Sequence, residues 1–183
     1  MTLVLALESE GSVHLATDSF LGNAGEKDLI DQPKWFTLHG VTFGYAGDLS
    51  VIQLVRYGLK FRSRRSRESI DQYLSRYALA IRTRLLETDI KDHASFIAAI
   101  EDRVYTIQED WSVIRSYHRY AAIGIGAPYA LGSLASTPGL PPKDRLDLAL
   151  HAASRHSAGV SPPLHFRTLS SRSCRTRERA IGR

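Results

Sequence analysis

Two short apolar runs open the chain, TLVLALE at residues 2–8 and SVHLATD at 12–18, with Gly11 between them. Runs of seven residues are too short for a core helix and long enough for a strand, and the glycine marks a turn. Their apolar residues are nearly continuous rather than alternating. A strand of that kind must be covered on both faces, so the chain needs layers on either side of the sheet that holds it.

The rest of the chain supplies those layers. Residues 19–33 read as a loop rich in Gly, Asn and Asp that ends at Pro33. A second hairpin follows, KWFTLH (34–39), a turn at Gly40, and VTFGYAG (41–47). Asp48 is a good N-cap residue type and predicts a helix through Ile52, Val55, Leu59 and Phe61. The run RSRRSR (62–67) reads as a solvated basic break. A longer helix over about 67–87 carries Ile70, Leu74, Tyr77, Ile81 and Leu85 on one apolar stripe. Strands are expected near 94–100, 103–108, 111–115 and 119–124. Helices are expected over about 127–136 and 142–156, separated by TPGLPP (137–142). A last strand covers 164–169. The order predicts an α+β fold in four layers, an αββα sandwich of two antiparallel sheets flanked by helix pairs.

With 183 residues the chain has room for one domain with a sizeable core. The net charge of +5 is concentrated at one end: five arginines against Glu178 leave residues 170–183 at +4 and residues 1–169 at +1. The basic pI therefore describes a tail, expected to be disordered, and the body at 1–169 shows no nucleic-acid-binding face. No apolar run is long enough to span a membrane. Residues 3–7 lack the basic flank and cleavage site of a signal peptide, so none is expected. The single cysteine, Cys174, can form neither an internal disulfide nor a metal cluster, which points to a reducing cytoplasm.

The seven histidines show no paired ligand spacing. The glycines of GIGAPYALG lack the strand and downstream acid of a dinucleotide site and read as a strand-to-helix turn. Thr2 stands out. If Met1 is removed, Thr2 carries a hydroxyl nucleophile and an α-amine base on one residue. That amine has a reference pKa of about 7.7–8.0, so a useful fraction is neutral near physiological pH. On its own, a threonine there is also an ordinary strand residue.

The surrounding sequence resembles proteasome β subunits and, more closely, the bacterial HslV peptidase, both N-terminal-nucleophile hydrolases. The matching stretches are TLVLALESEGSVHLATDS, the lysine of PKWFTL, GYAGDLS, AAIGIGAPYALGSL and ALHAASRHSAGVSPP. They occur in order across residues 2–169, with no gap from Thr2 to Lys34.

The resemblance implies a threonine peptidase with Thr2 as nucleophile, Asp18 orienting Lys34, and Lys34 tuning the nucleophile and its amine by charge. It makes the Gly47 N–H the oxyanion donor, with a helix N-terminus behind it, and places Tyr45 in the pocket for the residue preceding the scissile bond. It implies no metal or organic cofactor, a ring homo-oligomer, an ATPase unfoldase partner and unfolded polypeptide substrates. One departure is plain: Ile125 stands in Gly124-Ile125-Gly126 where the family usually has a serine that assists the amine. Arg155 and Ala158 fall near where many proteasome β subunits have Asp and Ser, and Ser157 is a candidate substitute. Two other readings keep the fold: a hydrolase of small amides, and a degenerate subunit that assembles without cleaving.

Overall fold

The computed structural model describes residues 2–22 and 27–170. Eleven strands are present among them: β1 (Val4–Ser9), β2 (Ser12–Thr17), β3 (Phe20–Leu21), β4 (Asp28–Leu29), β5 (Trp35–Leu38), β6 (Val41–Gly47), β7 (Ala94–Ile100), β8 (Arg103–Ile107), β9 (Val113–Arg115), β10 (Tyr120–Ile123) and β11 (His165–Ser170). The helices are α1 (Leu49–Gln53), α2 (Ile70–Thr88), α3 (Ala127–Ser136) and α4 (Pro142–His156). None is long and apolar enough to cross a membrane.

One sheet has the order β10-β1-β2-β11 and the other β5-β6-β7-β8-β9, and every pairing is antiparallel. Both hairpin turns fall where the glycines placed them. Glu10-Gly11 and His39-Gly40 each take positive φ at both residues, the two-residue turn whose twist matches that of its strands.

β1 shows why these strands are apolar throughout. Val4 and Ala6 pack between the sheets with Ile97 and Ala99. Leu3, Leu5 and Leu7 point the other way, onto Ala130, Leu134, Leu146 and Leu150 of α3 and α4. Each such leucine contributes on the order of 1.5–3 kcal/mol by leaving water. A third cluster joins Phe43, Phe96 and Tyr105 of the second sheet to Tyr73, Tyr77 and Ile81 of α2. Three apolar interfaces separate four layers, α, β, β and α. The sheets close tightly at Gly44, where a Cβ would stand 2.6 Å from Val4 Cγ1.

The elements differ from the sequence reading in a few places. The loop at 19–33 contains the small β3–β4 ladder, Phe20↔Leu29 and Leu21↔Asp28. The helix expected from Asp48 through Phe61 is α-helical only to Gln53, widens to a π-helical stretch over Leu54–Gly58, and ends with Leu59 extended. Asp48 does not cap it; its carboxylate accepts from the His93 N–H instead. α2 begins three residues later than expected, because Ser69 and Gln72 form a reciprocal capping box, with both bonds at 3.1 Å. The last strand runs to Ser170, one residue past the boundary drawn at Leu169, and the remainder of the basic tail lies outside the described residues.

Candidate active site

The pairing Val4↔Thr17 brings the residues just before β1 against those just after β2. Thr2 and Asp18 meet there. The junction is held by the Asp18 N–H to the Leu3 carbonyl at 3.3 Å and by the Thr17 hydroxyl, which donates to the Leu3 carbonyl at 2.9 Å and lies 3.0 Å from that of Asp18.

Asp18 is the hub. Its Oδ1 accepts from Lys34 Nζ at 2.6 Å, from the Leu3 N–H at 2.9 Å and from Thr2 Oγ1 at 3.3 Å. Its Oδ2 accepts from the N–H groups of Phe20 at 3.0 Å and Ser161 at 3.2 Å. A fully buried carboxylate would be costly alone, and here five donors surround it. Lys34 is 3% exposed and Thr2 5%. The Lys34 ammonium also donates to the Phe20 carbonyl at 2.6 Å. Burial lowers the Lys34 pKa from the ordinary lysine range, and the charge and hydrogen bond of Asp18 oppose that shift.

Thr2, Asp18 and Lys34 are therefore one hydrogen-bonded cluster, with Thr2 and Lys34 sharing a single oxygen. The other two candidates flank it on the neighbouring strand. The Tyr45 N–H donates to the Lys34 carbonyl at 3.1 Å, and Gly47 lies two residues further along the same face of β6. Among the described residues no hydrogen bond joins Gly47 to Thr2, Asp18 or Lys34. Gly47 is exposed, with φ +124°, and a Cβ there would collide with the His93 carbonyl and Ala94. The helical backbone behind it starts at Leu49 and continues through the π-helical stretch to Gly58. Tyr45 is half-buried against Phe36, ring centroids 6.0 Å apart, and burial pushes its phenol pKa up while Arg56 pulls it down.

Three features of the site have little sequence signal. Gly124, at φ +95°, lies so close to Thr2 that a Cβ would collide with the Thr2 carbonyl. The Phe20 carbonyl and Ser161 N–H act through backbone atoms, which residue identity does not announce. Ser19 locks the loop after α4 in place: its N–H donates to the Ser161 carbonyl at 3.0 Å, and its hydroxyl bonds the Pro163 carbonyl at 2.8 Å and His165 Nε2 at 2.9 Å. Ile125 is 51% exposed, while Arg155 and Ala158 are also exposed. Ser157 is buried at the end of α4, and no hydrogen bond joins it to Thr2 among the described residues.

Two packed antiparallel sheets between helix pairs have the architecture of the proteasome-type N-terminal-nucleophile hydrolase fold. Solved structures bear this out. Thiobacillus denitrificans BPH superposes with a TM-score of 0.80 at 15% identity, covering 92% of this chain and 98% of that one. BPH has also been solved in complex with epoxomicin, where the TM-score is 0.75 at 16% identity, with the same coverage. Eukaryotic HslV from Trypanosoma brucei gives 0.71 at 16% identity, covering 92% and 99%. Anbu from Pseudomonas aeruginosa, solved as a helical assembly, gives 0.71 at 16% identity, covering 98% and 94%. No protein-family model and no curated protein sequence matches the chain.

Proposed function

We propose that this chain is a threonine-type peptidase that cleaves unfolded polypeptides after removal of Met1. The observation that carries the reading is the sharing of Asp18 Oδ1 by Thr2 Oγ1 and Lys34 Nζ inside this fold. The free α-amine of Thr2 takes the hydroxyl proton as Oγ1 attacks the substrate carbonyl carbon. The Lys34 charge favours the developing alkoxide and discourages protonation of the amine. The Gly47 N–H receives the oxyanion. The peptide C–N bond then breaks, the leaving amine takes the proton from the Thr2 ammonium, and an ester to Oγ1 remains. Water hydrolyses that ester, passing one proton to the amine as it attacks, and the Oγ1–H is restored.

The resemblance to HslV and proteasome β subunits supports a ring homo-oligomer, an ATPase unfoldase partner and a cytoplasmic setting. The Anbu assembly supports self-association. A degenerate, assembling subunit is the second reading, favoured by the exposed Ile125 in the usual serine position.

The decisive experiment combines intact mass with a Thr-directed covalent inhibitor, epoxomicin being the first choice because BPH has been solved in complex with it. Loss of Met1, an adduct on the Thr2 peptide, and no peptide turnover by Thr2→Ala are expected. Chains that retain Met1 yet hydrolyse peptides normally would overturn the mechanism. Removal of Met1 without adduct or turnover would favour the degenerate subunit.

A further inference from the structure

Three arginines among the described residues are half-buried: Arg56, Arg76 and Arg145. Two have oxygen partners. Arg76 pairs with Glu68 at 2.8 Å, and Arg145 donates to the Leu134 carbonyl at 2.7 Å. Arg56 has none among the described residues. Its guanidinium carbon lies 5.0 Å from the Tyr57 ring centroid and 5.9 Å from that of Phe36. Ring contacts supply no oxygen acceptor for the guanidinium N–H groups, the groups that match a carboxylate.

The position of this cation gives it a role. Lys34 immediately precedes β5, the strand that carries Phe36. Phe36 also packs against Tyr45, whose N–H is bonded to the Lys34 carbonyl and which precedes Gly47 by two residues. The positive charge is felt at Tyr45, where it works against the effect of burial on the phenol. A half-buried cation with no carboxylate partner among the described residues is therefore positioned where the peptidase reading puts the side chain that precedes the scissile bond.

We propose that Arg56, held on Phe36 and Tyr57 beside Tyr45, selects peptide substrates with an acidic side chain immediately before the scissile bond. The proposal rests on the peptidase reading above. A glutamate entering past Tyr45 meets the guanidinium and forms charge-assisted hydrogen bonds in partly desolvated surroundings. An uncharged side chain of the same shape forgoes that gain and leaves the cation unpaired.

The test uses the full-length chain after Met1 removal and peptidyl-aminocoumarin substrates that differ only in the last residue: Glu, its neutral isostere Gln, Leu or Arg. The kcat/KM ratio of Glu to Gln is expected to be about tenfold or more in the wild type, the range of a charge-assisted hydrogen bond. Arg56→Met, which retains a long side chain over Phe36, is expected to bring that ratio to about one. Arg56→Glu is expected to shift preference to the Arg substrate, a gain that a folding defect cannot produce. A wild-type ratio near one, or a ratio that Arg56→Met leaves intact, would overturn the selection role. If Thr2 is labelled and the Leu substrate is cleaved while the Glu-to-Gln ratio is one, only this proposal fails. If Thr2 is neither labelled nor able to turn over any substrate, the peptidase reading fails and this proposal falls with it.

Discussion

Lys34 Nζ lies 2.6 Å from Asp18 Oδ1, with both side chains out of solvent. A pair of this kind gains little over an apolar equivalent, but removing one member strands the other in a low-dielectric site. Asp18→Ala should therefore cost about 3–5 kcal/mol of unfolding free energy, since it also orphans the N–H groups of Leu3, Phe20 and Ser161. Denaturant unfolding measures this; a loss under about 1 kcal/mol, within the range of an ordinary surface pair, would mean the cluster is not built as described.

Lys34 also sets a pH dependence. Burial lowers its pKa in the folded protein, so the ammonium loses its proton at lower pH than a free lysine does. If the cation assists Thr2, kcat/KM falls as pH rises through this lowered value, and the alkaline limb begins below the usual lysine range of about 10.4. Lys34→Arg stays protonated throughout and, where it retains turnover, should lack that limb. An alkaline limb of the same position in wild type and Lys34→Arg would assign it to another group.

Gly124 offers a steric test. At φ +95°, with the Thr2 carbonyl where a Cβ would go, alanine must shift the backbone around Thr2. Gly124→Ala is expected to cost at least about 1–3 kcal/mol and to abolish most turnover. Unchanged activity would show that Thr2 tolerates displacement and that its position is not finely held.

The capping box at Ser69 provides a control away from the cluster. Ser69→Ala removes one bond at the start of α2 and should lower stability by about 1 kcal/mol. The kcat/KM of the folded protein should stay within twofold of the wild type. A large fall in activity would reveal coupling between α2 and the site.

Tyr77 predicts the opposite sign. Its hydroxyl is buried without a hydrogen-bond partner among the described residues, and burial pushes its phenol pKa well above the usual range. Tyr77→Phe keeps the stacking on Phe43, at 4.8 Å between centroids, and discards the unpaired group. A higher midpoint in thermal unfolding, by up to about 1 kcal/mol in stability, is expected. A clear loss would indicate that the hydroxyl is hydrogen-bonded in solution.

Much of the fold is legible in the sequence. The glycines at 11 and 40 marked both hairpin turns, and the stripe from Ile70 to Leu85 marked α2. The prolines of TPGLPP separated α3 from α4, both of which span the residues expected. What the pattern misplaced was local. Asp48 has the residue type of an N-cap, but the His93 N–H claims its carboxylate. The π-helical stretch after Gln53 keeps Leu54 and Val55 on the core, so periodicity alone reads it as ordinary helix. Two-residue strands such as β3 and β4 carry no period at all.

The site divides the same way. Thr2 stood out by residue type and place, whereas Asp18, Lys34, Tyr45 and Gly47 became candidates through the resemblance to HslV and proteasome β subunits, which rests on the order and spacing of the matching stretches along the linear chain. The sequence also determined the layered architecture, since strands apolar on both faces have no other way to leave water. Only the tertiary structure decided that Thr2 and Lys34 share one oxygen of Asp18, that Gly124 closes on the Thr2 carbonyl, and that among the described residues Arg56 lacks an oxygen partner where Arg76 and Arg145 have one. Those facts depend on distances between segments brought together by burial of the three apolar interfaces. A hydrogen bond is made or missed within a few tenths of an ångström, far finer than the pattern of residues along a chain can specify.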